Sequence, residues 1–170
     1  MTPETVPVVL PKTAAGEDAP AWVRDFYEAY LSSDPARLEN ILHPDVSWLI
    51  SGPADQMDIF GLRRGRAEVL ELKTRIGPCF QRLVAFDIEQ VVVQGERAAT
   101  FGRLRSLQRE TRRPIGFAFS HFMRFEGGQL VSMRAVVDSY DAVQQIFGVP
   151  LAMSPDAGLV PLLPGDIAMV

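Results

Sequence analysis

The alternation of apolar and polar side chains in the second half of the chain constrains its fold more than any other feature. Successive side chains of a strand point to opposite faces of a sheet, so a period of two predicts strands with one buried face. Short turn segments, among them Gly127-Gly128, separate the alternating runs. The predicted strands span residues 81–93, 97–109, 114–125 and 129–137. Four consecutive strands joined by such short turns predict an antiparallel sheet.

The first half of the chain carries helix patterns instead. Apolar residues from Trp22 to Leu31 recur every three or four positions, and Asp34-Pro35 is a typical start of a second helix. A third helix is predicted over residues 65–76, with Gly77-Pro78 as its end, and a short one over Ser139–Phe147. Helices grouped before antiparallel strands predict an α+β domain whose helices pack on one face of a curved sheet.

Composition narrows the classes of function. The chain has 170 residues and a net charge of −4, whereas a nucleic-acid-binding domain would be basic. No segment has the apolar pattern that a membrane span or a signal peptide requires. Cys79 is the one cysteine, which excludes an internal disulfide, and no metal-binding motif is present. These features predict a cytoplasmic protein with no cofactor, no metal, and no nucleic-acid or membrane partner.

The chain divides into three parts by its pattern. Residues 1–20 are rich in Pro, Thr and Ala without periodicity, and they are interpreted as an arm that is flexible or draped over a neighbour. Residues 21–148 contain all the predicted helices and strands. Residues 149–170 are too apolar for a free tail, and their prolines exclude a long helix. We expect this C-terminal tail to pack on the domain or on a partner subunit.

Five segments, taken in order, resemble one superfamily. They are Trp22–Asp34, His43–Trp48, Gly61–Glu68, Phe125–Val131 and Asp138–Gly148. Together they are similar to the SnoaL-like branch of the nuclear transport factor two-like superfamily. The resemblance implies a cone-shaped, cystatin-like roll with a pocket between its helices and its sheet, in a homodimer. The superfamily includes ketosteroid isomerases, limonene epoxide hydrolases, scytalone dehydratases, polyketide cyclases and proteins that only bind or scaffold.

The resemblance also shows departures from the active sites of these relatives. Where ketosteroid isomerases place a carboxylate base and two proton donors, the matching positions hold Phe26, Ile50 and Ser120. Limonene epoxide hydrolases use an aspartate-arginine-aspartate relay, and this chain has Arg105 and Ala135 at the acid positions. Neither reaction is expected here. Function must therefore be argued from other pocket residues.

Arg103 and Arg105 are the cations that the resemblance places in the pocket, on one face of a strand with Phe101. The planar guanidinium group suits carboxylate, phosphate or enolate oxygens. Arg103 is therefore interpreted as a catalytic residue, and Arg105 and Phe101 as ligand-binding residues. The alternative is that both arginines form ion pairs with acids on a neighbouring strand, such as Glu89 or Asp87.

Small and apolar residues would form the pocket walls. By the resemblance, those that bind the ligand are Trp48, Ala118, Ser120, Phe122, Met133 and Ala135. Asp138 ends the last pocket-lining strand and is the candidate catalytic base; alternatively it caps the helix that follows, with Asp141 in the first turn. His121 alternates with Ser120, so it is expected to face away from the pocket.

Two functions remain open from the sequence. The first is a pocket that holds a mostly apolar substrate by one anionic or carbonyl oxygen, with isomerase, cyclase or lyase chemistry implied by the resemblance. The second is a non-catalytic ligand-binding or dimeric interaction module whose pocket is closed by the C-terminal tail. The missing catalytic carboxylates motivate the second.

Overall fold

A curved six-stranded sheet with helices packed against one face forms the body of the protein. The computed structural model describes residues 8–55 and 57–148. Helices precede the long antiparallel strands, so the predicted α+β class is confirmed. The elements in chain order are α1 (Ala21–Leu31), α2 (Pro35–Ile41), β1 (Leu42–Ser51), β2 (Gly61–Arg64), α3 (Gly65–Glu71), a π-helical turn (Leu72–Ile76), α4 (Gly77–Phe80), β3 (Gln81–Gln94), β4 (Arg97–Gln108), β5 (Pro114–Glu126), β6 (Gln129–Val137) and α5 (Ser139–Phe147).

The sheet has the strand order β2-β1-β6-β5-β4-β3. Strands β3 to β6 form an antiparallel meander, and their bounds agree with the predicted strands to within about a residue. Strand β1 joins the meander in parallel with β6, where Trp48 lies beside Met133. The sheet is therefore mainly antiparallel, as predicted.

Helix α1 covers the inner face of the sheet through its apolar stripe. Val23, Phe26 and Tyr27 are fully buried at the three- and four-residue spacing that brings them to one side of a helix. Helix α2 begins as its sequence predicts: the Asp34 carboxylate accepts a hydrogen bond from the backbone N–H of Ala36 at 3.0 Å. The two helices close one side of the space above the sheet.

The third helical segment differs from its prediction. Gly77-Pro78 was expected to end it, but the chain passes through a five-residue π-helical turn, Leu72–Ile76, and continues as α4. The backbone N–H of Gly77 bonds to the carbonyl of Leu72, five residues earlier. Pro78 has no N–H to donate and its ring crowds the preceding turn, and the wider turn accommodates it. The helical segment therefore extends to Phe80.

The described part of the N-terminal arm lies along the domain. Val8 and Leu10 pack against the hydrophobic core, and the backbone N–H of Ala14 donates to the carbonyl of Val91 at 3.0 Å. The predicted C-terminal tail, residues 149–170, lies outside the described residues. In the described ranges, no helix combines the length and the apolar character needed to cross a bilayer.

Candidate functional site

A cavity lies between the helices and the inner face of the sheet, in two adjacent parts. The first has a volume of about 310 Å³ and is called the Lys73 chamber; its wall includes Leu38, Trp48, Val69, Leu72, Lys73 and Leu83. The second has a volume of about 80 Å³, reaches under α5, and is called the His121 chamber; its wall includes Phe117, Phe119, His121, Met133, Ala135 and Ile146. Tyr30 and Phe86 line both chambers, so the two chambers are neighbours.

Three residues that the sequence placed in the pocket lie on this cavity wall. Trp48 of β1 lines the Lys73 chamber, while Met133 and Ala135 of β6 line the His121 chamber. All three are at most 3 % exposed. Strands β1 and β6 thus present the face that the sequence assigned to them.

Arg103 and Arg105 do not face the cavity, and the prediction that they do is wrong. Each side chain is 67 % exposed on the outer face of the sheet. Arg103 donates to Glu89 at 3.0 Å and Arg105 to Asp87 at 3.2 Å. The alternative pairing with acids on the neighbouring strand is therefore what the structure shows. Exposed pairs of this kind contribute little to stability and leave neither guanidinium free for a ligand in the cavity.

The other residues predicted to line the pocket from β4 and β5 also lie on the outer face of the sheet. Because side chains alternate along a strand, the residues directly beside inward-facing Thr100 and Leu104 on β4, or beside Phe119 and His121 on β5, point outward. Phe122 is 51 % exposed. The side chains placed outside the cavity by this register are Phe101, Ala118, Ser120 and Phe122.

Asp138 caps α5 instead of facing the cavity. Its carboxylate accepts a hydrogen bond from the backbone N–H of Asp141 at 3.2 Å, and its side chain is exposed. It lines neither chamber. The capping alternative is therefore the one that the structure shows, and the assignment of Asp138 as a pocket base is wrong.

Lys73 is the functional candidate that sequence reasoning missed. It lies on the π-helical turn, a feature that is frequent at functional sites, and its Nζ is 4.6 Å from the ring centroid of Tyr30. Burial among apolar neighbours lowers the pKa of Lys73 to about 8. Among the ion pairs of the described residues, none involves Lys73. The chain has only one other lysine, Lys12, against fifteen arginines, and that imbalance is the sequence signal that could have singled out Lys73.

Trp48 and Tyr30 add two further hydrogen-bond donors beside Lys73. The indole Nε1–H of Trp48 is buried and has no hydrogen-bond partner within the described residues. The Tyr30 and Trp48 rings are 5.8 Å apart, and burial raises the pKa of Tyr30 to about 12, so its hydroxyl keeps its proton. A buried donor without a partner costs about 1–3 kcal/mol, a cost that an acceptor on a ligand would remove.

The Lys73 chamber contains cations and no described acid. Arg82 and Arg109 also line it, both at exposed positions, and its described wall includes neither an aspartate nor a glutamate. The remaining wall is mostly aliphatic and aromatic. A chamber with donors, positive charge and apolar walls favours a ligand that combines a hydrocarbon body with an acceptor oxygen.

His121 forms a second polar cluster, and its side chain faces inward, contrary to the prediction from its alternation with Ser120. The hydroxyl of Tyr27 is 3.0 Å from His121 Nδ1 and 2.6 Å from Thr100 Oγ1. All three residues are buried. Burial lowers the pKa of His121 to about 3, so the imidazole is neutral near pH 7. Within residues 8–55 and 57–148, no group of three or more His, Cys, Asp or Glu side chains is arranged to hold a metal ion.

Solved structures with the same fold come from several bacteria. A candidate isomerase from Rhodopseudomonas palustris is 29% identical, with a TM-score of 0.69, covering 76% of this chain and 98% of that protein. A nuclear transport factor two-like protein of unknown function from Burkholderia pseudomallei is 25% identical, with a TM-score of 0.67 and coverages of 74% and 94%. A candidate SnoaL-like polyketide cyclase from Jannaschia sp. CCS1 is 14% identical, with a TM-score of 0.63 and coverages of 76% and 91%.

Comparison of the amino-acid sequence with known protein families agrees with these structural similarities. No functionally curated protein matches the chain in sequence. The profile of the SnoaL-like domain matches residues 23–133, which run from α1 to the middle of β6 and include the described wall of the Lys73 chamber. The chain therefore belongs to the SnoaL-like domain family.

Proposed function

We propose that this protein binds, in the Lys73 chamber, a mostly apolar small molecule that carries one carbonyl or anionic oxygen. The observation that carries the proposal is the buried Nε1–H of Trp48, which has no hydrogen-bond partner in the described residues. A native protein rarely buries a donor without an acceptor, and a ligand oxygen placed between Trp48 and Lys73 would satisfy both groups.

The size and chemistry of the chamber support this ligand class. Its volume of about 310 Å³ lies at the lower end of the range for small-molecule sites. Leu38, Val69 and Leu83 offer contacts to a hydrocarbon body. A ligand with a cationic group is disfavoured, because the described wall offers it positive charge and no carboxylate.

The reaction class is inferred from the donors that would stabilise negative charge on the oxygen of a bound carbonyl compound. Isomerases, cyclases and lyases of carbonyl compounds pass through enolate-like states, whose oxygen is stabilised by preorganised donors in a site of low dielectric. Trp48, Tyr30 and Lys73 are such donors. The names of the candidate isomerase and the candidate polyketide cyclase support the same class. A non-catalytic binding role would use the same chamber, and a turnover assay separates the two.

Binding of three matched probes tests the ligand class. In calorimetric titrations, 4-phenylbutanoate and 4-phenyl-2-butanone should bind at least about tenfold more tightly than butylbenzene, because only the first two offer an acceptor oxygen. Lys73→Met should weaken 4-phenylbutanoate about tenfold or more, since it removes a charge-assisted hydrogen bond. Trp48→Phe should weaken both oxygen-bearing probes about fivefold by removing the indole N–H.

The outer-face arginine provides the matched control for these titrations. Arg103→Ala removes a cation that is paired with Glu89 outside the cavity, so probe affinity should not change. Equal affinity for butylbenzene and the oxygen-bearing probes would contradict the proposal. A loss of affinity in Arg103→Ala that matches the loss in Lys73→Met would contradict it as well.

We further propose that the protein is a homodimer through the outer face of its sheet, and that it resides in the cytoplasm. The outer face carries a concavity of about 690 Å³ near Val92, Phe122 and Val136, each of which is exposed. Arginines and acids both lie on this face, as in the pair of Arg124 with Glu126, and such mixed charge suits a second copy of the same surface. The exposed free thiol of Cys79 supports a reducing compartment.

Phe122→Glu should therefore dissociate the dimer. A carboxylate placed in an apolar contact loses its hydration without gaining a partner, which weakens association strongly. Sedimentation equilibrium should give twice the chain mass for the wild type and the chain mass for Phe122→Glu. Val9→Glu, on the exposed arm, is the control and should leave the mass unchanged. A wild-type protein that sediments as a monomer at micromolar concentration would contradict this proposal.

A further inference from the structure

We propose that Lys73 is a reactive amine that forms an imine with the carbonyl carbon of a ketone or aldehyde bound in the Lys73 chamber. The inference rests on the proposed function, because the same chamber must first hold the carbonyl compound. The inference extends the proposed function in two ways. The chamber binds its ligand through a reversible covalent bond, and its ligands are aldehydes and ketones.

The placement of Lys73 is the first argument. Its side chain enters an apolar chamber from the π-helical turn and makes no ion pair in the described part of the chain. A lysine that only stabilised the fold at this position would be expected to hold an acid or to extend to water. Its Nζ is instead directed over the ring of Tyr30, 4.6 Å from the centroid. The amine is thus held inside the space where a ligand would lie.

The choice of residue is the second argument. The chain uses arginine for fifteen of its seventeen basic side chains and lysine only at positions 12 and 73. Arginine keeps its proton under all ordinary conditions and cannot act as a nucleophile, whereas a desolvated lysine can. Of the three lysine and arginine side chains on the described wall of this chamber, Lys73 is the one that can lose its proton.

The population of the neutral amine makes the reaction feasible near neutral pH. Burial lowers the pKa of Lys73 from 10.5 to about 8. At pH 7 roughly a tenth of the Lys73 side chains are then neutral, about 300-fold more than for an ordinary lysine. Only the neutral form has the electron pair that attacks a carbonyl carbon.

The chemistry requires no reagent beyond the ligand. The Nζ electron pair forms a C–N bond with the carbonyl carbon, the C=O π electrons move to oxygen, and the amine loses a proton while the oxygen gains one. The carbinolamine then loses its hydroxyl group and the remaining N–H proton as one water molecule, which leaves C=N. The ring of Tyr30 packs against the amine and helps to fix the position of Nζ on the chamber wall. The apolar walls favour departure of water.

Borohydride reduction of the full-length protein in the presence of 4-phenyl-2-butanone tests the proposal. Reduction of the imine should give an adduct whose mass is that of the ketone less one oxygen atom, and peptide mapping should locate it on Lys73. The labelling rate should rise with pH and level off above about 8. Lys12 is exposed on the arm, so it serves as an internal reference amine and should remain largely unlabelled.

Lys73→Arg separates failure of this proposal from failure of the proposed function. The variant should give no adduct but should still bind 4-phenylbutanoate, because the guanidinium keeps the positive charge. Wild-type protein that binds the ketone by calorimetry and yields no adduct would overturn the imine and leave the proposed function standing. Absence of both binding and adduct would overturn both. Equal labelling of Lys12 and Lys73 would also overturn the imine, because it would show only the ordinary reactivity of amines.

Discussion

Gly102→Ala is expected to lower the free energy of unfolding by about 3 kcal/mol, near the upper end of the usual cost of overpacking a dense core. Gly102 lies on the inner face of β4, where it pairs with Ile88 of β3. A Cβ atom at this position would overlap the backbone carbonyl oxygen of Asp87 and would come within 2.7 Å of the Phe119 ring. A carbonyl in a paired strand cannot move aside cheaply, so β3 and β4 must separate locally.

Gly116→Ala on the adjacent strand β5 is the matched control. Its added Cβ would meet its nearest neighbour, the carbonyl oxygen of Leu104, at 3.6 Å, which is ordinary van der Waals contact. Its effect should stay within about 1 kcal/mol, the usual range for a compatible substitution. Urea unfolding followed by tryptophan fluorescence measures both variants. Equal losses of stability would contradict the close approach of Gly102 to β3.

The strands could be predicted from the sequence because their signals are local. Turns such as Gly127-Gly128 and the alternation between them fix where each strand begins and ends. Which of the two faces is buried depends on the partner elements, and the resemblance gave the wrong answer for β4 and β5. The distribution of arginines indicates the exposed face more reliably than the resemblance does. Arg103, Arg105 and Arg124 lie on the same face as Phe122. A sheet face that carries several cations is expected to meet solvent.

Lys73 could not be placed from the sequence for a different reason. Its chamber depends on the helical segment continuing past Gly77-Pro78, and this pair is a usual helix end. The π-helical turn that permits the continuation has no reliable sequence pattern, so the direction of the lysine side chain follows from the tertiary structure. Trp48 was placed correctly by the resemblance, since β1 turns the assigned face toward the cavity. Its unpartnered N–H became visible only with its neighbours in place.

The buried histidine is the residue from which a strong pH dependence of stability follows. His121 is enclosed by the rings of Tyr27, Tyr30, Phe86 and Phe119. The two tyrosines are uncharged near neutral pH, since burial raises the pKa of each, and no ion pair of the described residues involves His121. Desolvation therefore acts on the imidazolium without a compensating negative charge. The folded protein resists protonation of His121 down to a pH of about 3.

Acidification from pH 7.5 to 5 should consequently remove about 2 kcal/mol of stability through His121 alone. The pKa of this histidine is about 3 in the folded protein and 6.5 in the absence of the fold, so the unfolded state takes up the proton first and stability falls as pH drops below 6.5. His121→Gln keeps a group that can bond to the Tyr27 hydroxyl but cannot titrate, and it should lose this slope. Urea unfolding at several pH values gives both slopes, and the carboxylates that titrate in either protein cancel in their difference. Parallel slopes for the two proteins would show that His121 is protonated in the folded state, and the enclosure of its ring by aromatic side chains would then not exclude charge.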